Sequence, residues 1–431
     1  MAFNALMRHR REAMHVLVIG AGVVGVNTAY LLLKQGLQVS MVDRHSQPAQ
    51  EASYANGCQL SYNYVAPLAS PDVFADLPKW LLNPSSPLRF YPRFDWQQWR
   101  WLMHFLAACN REQSRRSTAD LLGLALRSRS IVHENTRDVQ LDYSWNDNGK
   151  LIIYRSPALF EKARKQVAYQ ASLGSAQQVL TAAQVLELEP SLSPIASALA
   201  GGVFTPHEEV GDCQQYTDQL FSYLTRQSGF TAHMGCEVLS LHQAGQRVLG
   251  VHTSKGLIQA DQVVVAAGVR SVPLLRKSGY TPLIYPLKGY SLTLPLNQQL
   301  NATATPSLSI TDYERRIVYA PLTQRLRVAA MVDIGATSTS LNPSRLGVLQ
   351  RQAGETFPTL DFEQATPWAG LRPATPTGKP IIGPHPHLKN LWLNIGHGAL
   401  GFTLAAGSAE ALTQHISGAP LRPEYQCFVP T

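Results

Sequence analysis

The sequence predicts a mixed α/β and α+β protein, in which a Rossmann-like dinucleotide-binding domain is interleaved with a second domain built on a mainly antiparallel sheet. Three observations predict it. Strand, glycine turn, helix, strand and acid follow one another between His15 and Arg44. A strand runs into a glycine-rich turn and a helix a second time at 390–407. Between them, after Thr281, the pattern changes to short alternating strands. At 431 residues the chain is too long for one small core. It shows no repeat or low-complexity linker, so the domains are interleaved: 14–75, 206–282 and 366–431 for the nucleotide, 76–205 and 283–365 for the substrate, with 1–13 a disordered extension.

The first unit has a physical reason at each place. Val16 to Ile19 suits a buried parallel strand, and Gly20, Gly22 and Gly25 fill a G-x-G-x-x-G turn that also carries Ala21, Val23 and Val24. Gly20 lets the chain turn off the strand, Gly22 lets a pyrophosphate approach the backbone, and Gly25 lets the helix pack closely. The helix Val24 to Lys34 offers its first N–H groups and positive dipole end to phosphate, with Gly36 at the C-cap. A second strand, Leu37 to Val42, ends in Asp43, placed to accept both hydroxyls of an adenosine ribose, with Arg44 beside it. This unit alone leaves NAD and FAD open.

Composition narrows the function classes. With 45% hydrophobic and 15% charged residues the chain is globular. The net charge of +8 is spread without basic runs or stacking aromatics. That excludes nucleic acid as a partner and leaves a bias towards anionic ligands or membrane surfaces. The cysteines at 58, 109, 213, 236 and 427 form no C-x-x-C and no metal spacing, so reduced thiols in the cytoplasm and no metal are expected. Arg8, Arg10 and Arg11 before the apolar stretch 16–33 imitate a signal peptide. The glycines, Asn27, Thr28 and the missing A-x-A site reject that reading, and Met14 is an alternative start.

The rest of the chain reads in order. Residues 52–64, ASYANGCQLSYNY, carry Ser53, Asn56 and Gln59 on a tight polar segment able to wrap a pyrophosphate and a flavin edge. Trp99, Leu102, Phe105 and Leu106 form one helical face, read either as core or as a peripheral membrane contact. Helices follow at 119–139 and 157–174, a strand at 150–154, another at 201–205, a helix at 214–227 and a strand at Val263–Val265. The antiparallel strands are Leu283–Thr293, Ser307–Ile310, Ile317–Ala320 and Leu326–Met331. The second glycine turn, GHGALGFT at 396–403, decides for a flavin, because a helix starting near Gly401 aims its positive end where reduction places negative charge.

The fingerprint, the 52–64 segment, YPLKGYSLT at 285–293, GLRP at 370–373 and the GHG-x-LG-x-T turn together resemble the D-amino-acid oxidase superfamily of flavoproteins. The likeness runs from Val16 to Gly418 and is nearest to the bacterial D-amino-acid dehydrogenase branch. That branch reads Asn-Ala-Gly-Gln then Ile-Ser-Pro-Gly-Tyr, where this chain has Asn56-Gly57-Cys58-Gln59 and Leu60-Ser61-Tyr62-Asn63-Tyr64. The resemblance implies a glutathione-reductase-like FAD domain, with Val238 at the adenine and Gly268, Gly396, Gly398, Gly401 and Thr403 near the cofactor. No cysteine lies in 373–407, so FAD is expected to be non-covalent. Arg372 of the GLRP motif is assigned to the substrate carboxylate, with a structural ion pair as the other reading. Tyr64, Tyr290 and Tyr319 are candidate accessory groups or core residues, and His397 a hydrogen-bonding or shaping residue.

The reaction implied is oxidation of a D-amino acid, or of a cyclic imino acid such as a D-proline, by hydride transfer to flavin N5. Electrons would leave to a quinone or another electron-transfer partner, from a cytoplasmic enzyme peripheral on the inner face of the membrane. An oxidase using oxygen, and a flavin-bearing subunit of a larger hetero-oligomeric electron-transfer complex, are the competing readings.

Overall fold

The structure, a computed structural model, describes residues 14–71, 73–74, 86–171, 177–296 and 304–430. The expected extension 1–13 and the end of the helix expected to reach Gly174 lie outside the described residues.

His15–Ile19 sits inside a six-stranded sheet, parallel to Gln38–Val42 on one side and Gln262–Val265 on the other. Phe230–His233 and Leu391–Ile395 extend it in parallel, and Ile381–Pro384 closes one edge antiparallel. Alternation along the first strand builds two cores. Val16 and Val18 join a cluster with the helices Val23–Lys34, Cys213–Leu224 and Gly401–Ser417, whereas Leu17 and Ile19 pack with Val248 and Val251 of a three-stranded antiparallel meander. Covered on both faces, such strands read as unbroken apolar runs.

The second sheet runs Thr366–Ala374, Tyr285–Pro295, Arg325–Ile334, Ile317–Leu322, Ser309–Asp312, Lys150–Tyr154, Gly201–Thr205, Gln178–Thr181, and Leu88–Phe90 lies beside Arg325–Ile334. Most pairs are antiparallel; Ser309–Asp312 with Lys150–Tyr154, and Leu88–Phe90 with Arg325–Ile334, are parallel. Thr366–Ala374, grouped by sequence with the nucleotide-binding segments, pairs along its whole length with Tyr285–Pro295 in this second sheet.

Two helices differ from expectation. The helix expected from Ala119 starts at Arg111, where Asn110 Oδ1 accepts the Gln113 N–H at 2.9 Å. Its first turns, REQSRRST, are polar all round and carry no apolar period. In Trp96–Ala108 the buried residues are Gln98, Trp101, Phe105 and Ala108, not a stripe centred on Trp99, which is 41% exposed. Trp101 takes the core place because its indole N–H reaches Ala374 O at 2.8 Å and its ring stacks on Phe105.

Candidate active site

A cavity of about 1320 Å³ is lined from both sheets, from the first glycine turn to the second. At the nucleotide end Gly20 has φ +109°, and a Cβ there would lie 2.6 Å from Ala266 O. A Cβ on Gly25 would lie 1.9 Å from Gly20 O, so this glycine serves helix–strand packing and does not line the cavity. Ser53 Oγ accepts the Val23 N–H at 3.0 Å, supplying from a distant loop the cap that Gly22 lacks. Asp43 accepts the Ala21 N–H through Oδ2 and the His45 N–H through Oδ1, each at 2.8 Å. Its carboxylate therefore ties the turn to the second strand while facing the cavity beside Val24, Val238 and Gly268. Arg44 lines the same end and ion-pairs with Glu51.

The segment after Ser53 is clamped to the second sheet. Ala55 O accepts Ser291 Oγ–H at 2.7 Å and Asn56 O accepts Arg327 Nη1–H at 3.0 Å. The left-handed position expected of a glycine falls on Cys58, φ +55°, whose N–H donates to Asn56 Oδ1. Gln59 donates to Ser309 Oγ at 2.6 Å, and the Ser61 N–H donates to Thr403 Oγ1 at 3.3 Å, joining this segment to the C-terminal helix. At the start of that helix, Gly396 has φ +83° and Gly398 φ +54°. Both line the cavity with Gly401 and Thr403.

Arg372 lies in the opposite wall. Its Nη1–H donates to Met331 O at 3.0 Å, and its fork covers Gly289, where a Cβ would meet Nη2 at 2.3 Å. Burial lowers its pKa to about 10, while Asp333 acts against that through space. The Asp333 carboxylate is itself buried, accepting the Tyr290 hydroxyl at 2.9 Å and ion-paired with Arg345 at 2.9 Å. Among the described residues no carboxylate ion-pairs with Arg372 directly.

The other candidates divide. Tyr64 and Tyr290 line the cavity, the hydroxyl of Tyr290 already committed to Asp333. Tyr319 does not line it: the side chain is fully buried and its hydroxyl donates to Thr356 Oγ1 at 3.2 Å. Alternation turned that tyrosine towards the helix Pro343–Thr356 and left Val318 to face the cavity. His397 lines the cavity with its Nε2 3.0 Å from Ser408 Oγ, and burial lowers its pKa to about 3. Burial favours the neutral form of the ring, which stands between Gly396 and Gly398 on the cavity wall. Sequence reasoning passed over Asp333, Arg345 and Lys150. The last carries a visible signal, a lysine opening the apolar strand KLIIY and 3% exposed.

The profile of the DAO family, described as FAD dependent oxidoreductase, matches residues 15–415. The chain belongs to this FAD-dependent oxidoreductase family. The observed cradle fits FAD: two glycine turns and two helix N-termini open on one cavity, and at Gly20 a Cβ would collide with the Ala266 backbone beside it. Among relatives, the chain is 49% identical over 410 residues to D-amino acid dehydrogenase 2 of Pseudomonas aeruginosa, covering 95% of this chain and 96% of that one. It is 45% identical over 411 residues to D-amino acid dehydrogenase 2 of Ralstonia nicotianae, covering 94% and 96%. The fold is similar to glycine oxidase from Geobacillus kaustophilus, with TM-score 0.76 at 19% identity over 97% of this chain and 99% of that one. It is also similar to L-proline dehydrogenase from P. horikoshii, with TM-score 0.70 at 15% identity over 96% of each.

Proposed function

We propose that this family member oxidises a D-amino acid, or a cyclic imino acid such as a D-proline, to the imine, which water hydrolyses to the 2-oxo acid. The observation that carries the reading is the half-buried guanidinium of Arg372, facing the cavity with a backbone carbonyl as its protein partner. A planar fork in a desolvated wall is matched by a carboxylate, which can take two parallel charge-assisted hydrogen bonds. The two relatives named D-amino acid dehydrogenase 2 support the same substrate class. Bound FAD supplies the two-electron acceptor.

The side chains divide the remaining work. Arg372 holds the substrate carboxylate and so orients Cα; Gly289 leaves room for its fork; Asp333, fixed by Tyr290 and Arg345, keeps the wall electrically balanced. Tyr64 and Tyr290 bound the pocket. The substrate ammonium loses its proton to water, since transfer into a desolvated pocket disfavours a charged amine. Electrons leave to a quinone or similar acceptor at the membrane face, a reading supported by exposed Phe94, Trp96, Trp99 and Met103. No described helix is long and apolar enough to cross a membrane.

Truncating one partner of a buried, hydrogen-bonded charge pair costs about 2–5 kcal/mol, a loss of tens to thousands of fold. Arg372→Lys keeps the charge but loses the fork, so KM rises and flavin reduction slows; Arg372→Ala is worse, and FAD content is kept in both. An amine lacking the carboxylate is the control. Equal losses on amine and amino acid, or loss of FAD, would make Arg372 structural.

A further inference from the structure

Lys150 is a buried cation on the cavity wall for which the substrate reading has no use. It opens the strand Lys150–Tyr154 and is 3% exposed, with its ammonium on the cavity wall. Nζ donates to Gln59 Oε1 at 3.1 Å and to Ser61 Oγ at 3.0 Å, and lies 4.4 Å from the centre of the Tyr64 ring. Gln59, Ser61 and Tyr64 line the same cavity. Ser61 is in turn bonded to Thr403, on the first turn of the helix that begins at the flavin-binding glycine turn.

We propose that Lys150 is a positioning residue of the flavin site, which holds the Gln59–Ser61 segment and places a positive charge that raises the flavin's reduction potential. The physical reason is that two-electron reduction leaves negative charge on the flavin, and a cation fixed in a wall of low dielectric stabilises that form over the oxidised one. A lysine in a merely structural role could be met by any donor of the same shape. This one is hydrogen-bonded to the Gln59–Ser61 segment that meets the second glycine turn at Thr403, and the carboxylate that bears on it, Glu208, does so only through space.

Its surroundings decide how the charge depends on pH. In the sheet its neighbours are Ser309 and Thr205, neither of which titrates. Glu208 acts on it only through space; Glu208 Oε1 is occupied by the backbone and side-chain N–H groups of Asn63, both at 2.7 Å, and burial raises that carboxyl's pKa. Arg129 bears on Glu208 through space, and Arg316 and Tyr313 bear on Tyr64, whose own pKa burial raises. Burial is the dominant influence on Lys150 and lowers its pKa to about 8. The ammonium is therefore charged below about pH 8 and lost above it, well before an exposed lysine would titrate. The inference rests on FAD binding and is independent of which amine is oxidised.

The test is the midpoint potential of the flavin in the holoenzyme, followed from neutral to alkaline pH, for wild type, Lys150→Met and Lys150→Arg. Near neutrality Lys150→Met is expected to weaken the reduction equilibrium at least tenfold, about 30 mV for a two-electron couple. The difference closes above about pH 9, where wild-type Lys150 has itself lost its proton. Lys150→Arg keeps the high potential throughout, because a guanidinium does not titrate in that range. If Lys150→Met fails to retain FAD, wild type against Lys150→Arg decides alone: wild type shows an added break near pH 8 that the arginine variant lacks. Equal potentials in all proteins, a constant offset at every pH, or the same break in Lys150→Arg would overturn the proposal.

Discussion

At the scale of single residues the site depends on what is missing as much as on what is present. Gly289 is the clearest case: a Cβ there would lie 2.3 to 2.6 Å from three atoms of the Arg372 guanidinium. Gly289→Ala is therefore expected to push the fork out of place without touching the nucleotide end. KM for the amino acid should rise by about tenfold or more while FAD content stays normal, and the measurement is steady-state kinetics beside a flavin-to-protein absorbance ratio. Unchanged kinetics would mean that the fork has another resting place. The GLRP motif singled out Arg372 in the sequence, and the structure puts that residue on the cavity wall. Asp333 and Arg345 were not legible there, since each lies in an ordinary strand or helix and becomes significant only through a partner 43 or 12 residues away; Lys150 was marked by its place at the head of an apolar strand, but its use shows only through Gln59, 91 residues away. Tyr319 shows the converse, a tyrosine in the right strand whose parity turns it to the core.

At the scale of elements, what could be read followed the strength of the apolar period. Val16–Ile19, Lys150–Tyr154 and Gly201–Thr205 stand where their sequences put them. The helix Arg111–Val139 was cut short because a polar first stretch has no period to read. In Trp96–Ala108 three tryptophans within six residues blurred the stripe, and only packing against Ala374 and Tyr285 shows that Trp101 is the inner one. That leaves Trp96 72% and Trp99 41% exposed, near Arg93 and Arg100. Such a face fits an anionic membrane surface, where aromatic rings sit at headgroup level and arginines meet lipid charge. Sedimentation of the holoenzyme with anionic vesicles should show binding that weakens with salt, and Trp96→Ser with Trp99→Ser should reduce it severalfold while dye-linked activity in solution is kept. Equal binding by the double variant would assign the membrane contact elsewhere.

At the scale of the whole molecule one cavity is assembled from both ends of the chain. The first glycine turn, at Gly20 to Gly25, and the second, at Gly396 to Gly401, lie far apart in sequence, yet their strands share one sheet with Gln262–Val265 between them. The second sheet brings Arg372, Gly289 and Lys150 to the same cavity. The architecture was legible because two such turns in one chain have few uses; the grouping of Thr366–Ala374 with the second sheet was not, since a strand's partner is a long-range choice that local sequence does not encode. The proposed reaction places an amino acid of one hand in this chamber, oriented by Arg372. The most direct measurement mixes the FAD-loaded protein anaerobically with the D and L forms of the same amino acids, a D-proline among them, and follows the flavin absorbance. Rapid bleaching by D forms, with L forms slower by orders of magnitude, is the predicted result; bleaching by neither hand, or by L forms as fast as by D forms, would contradict it.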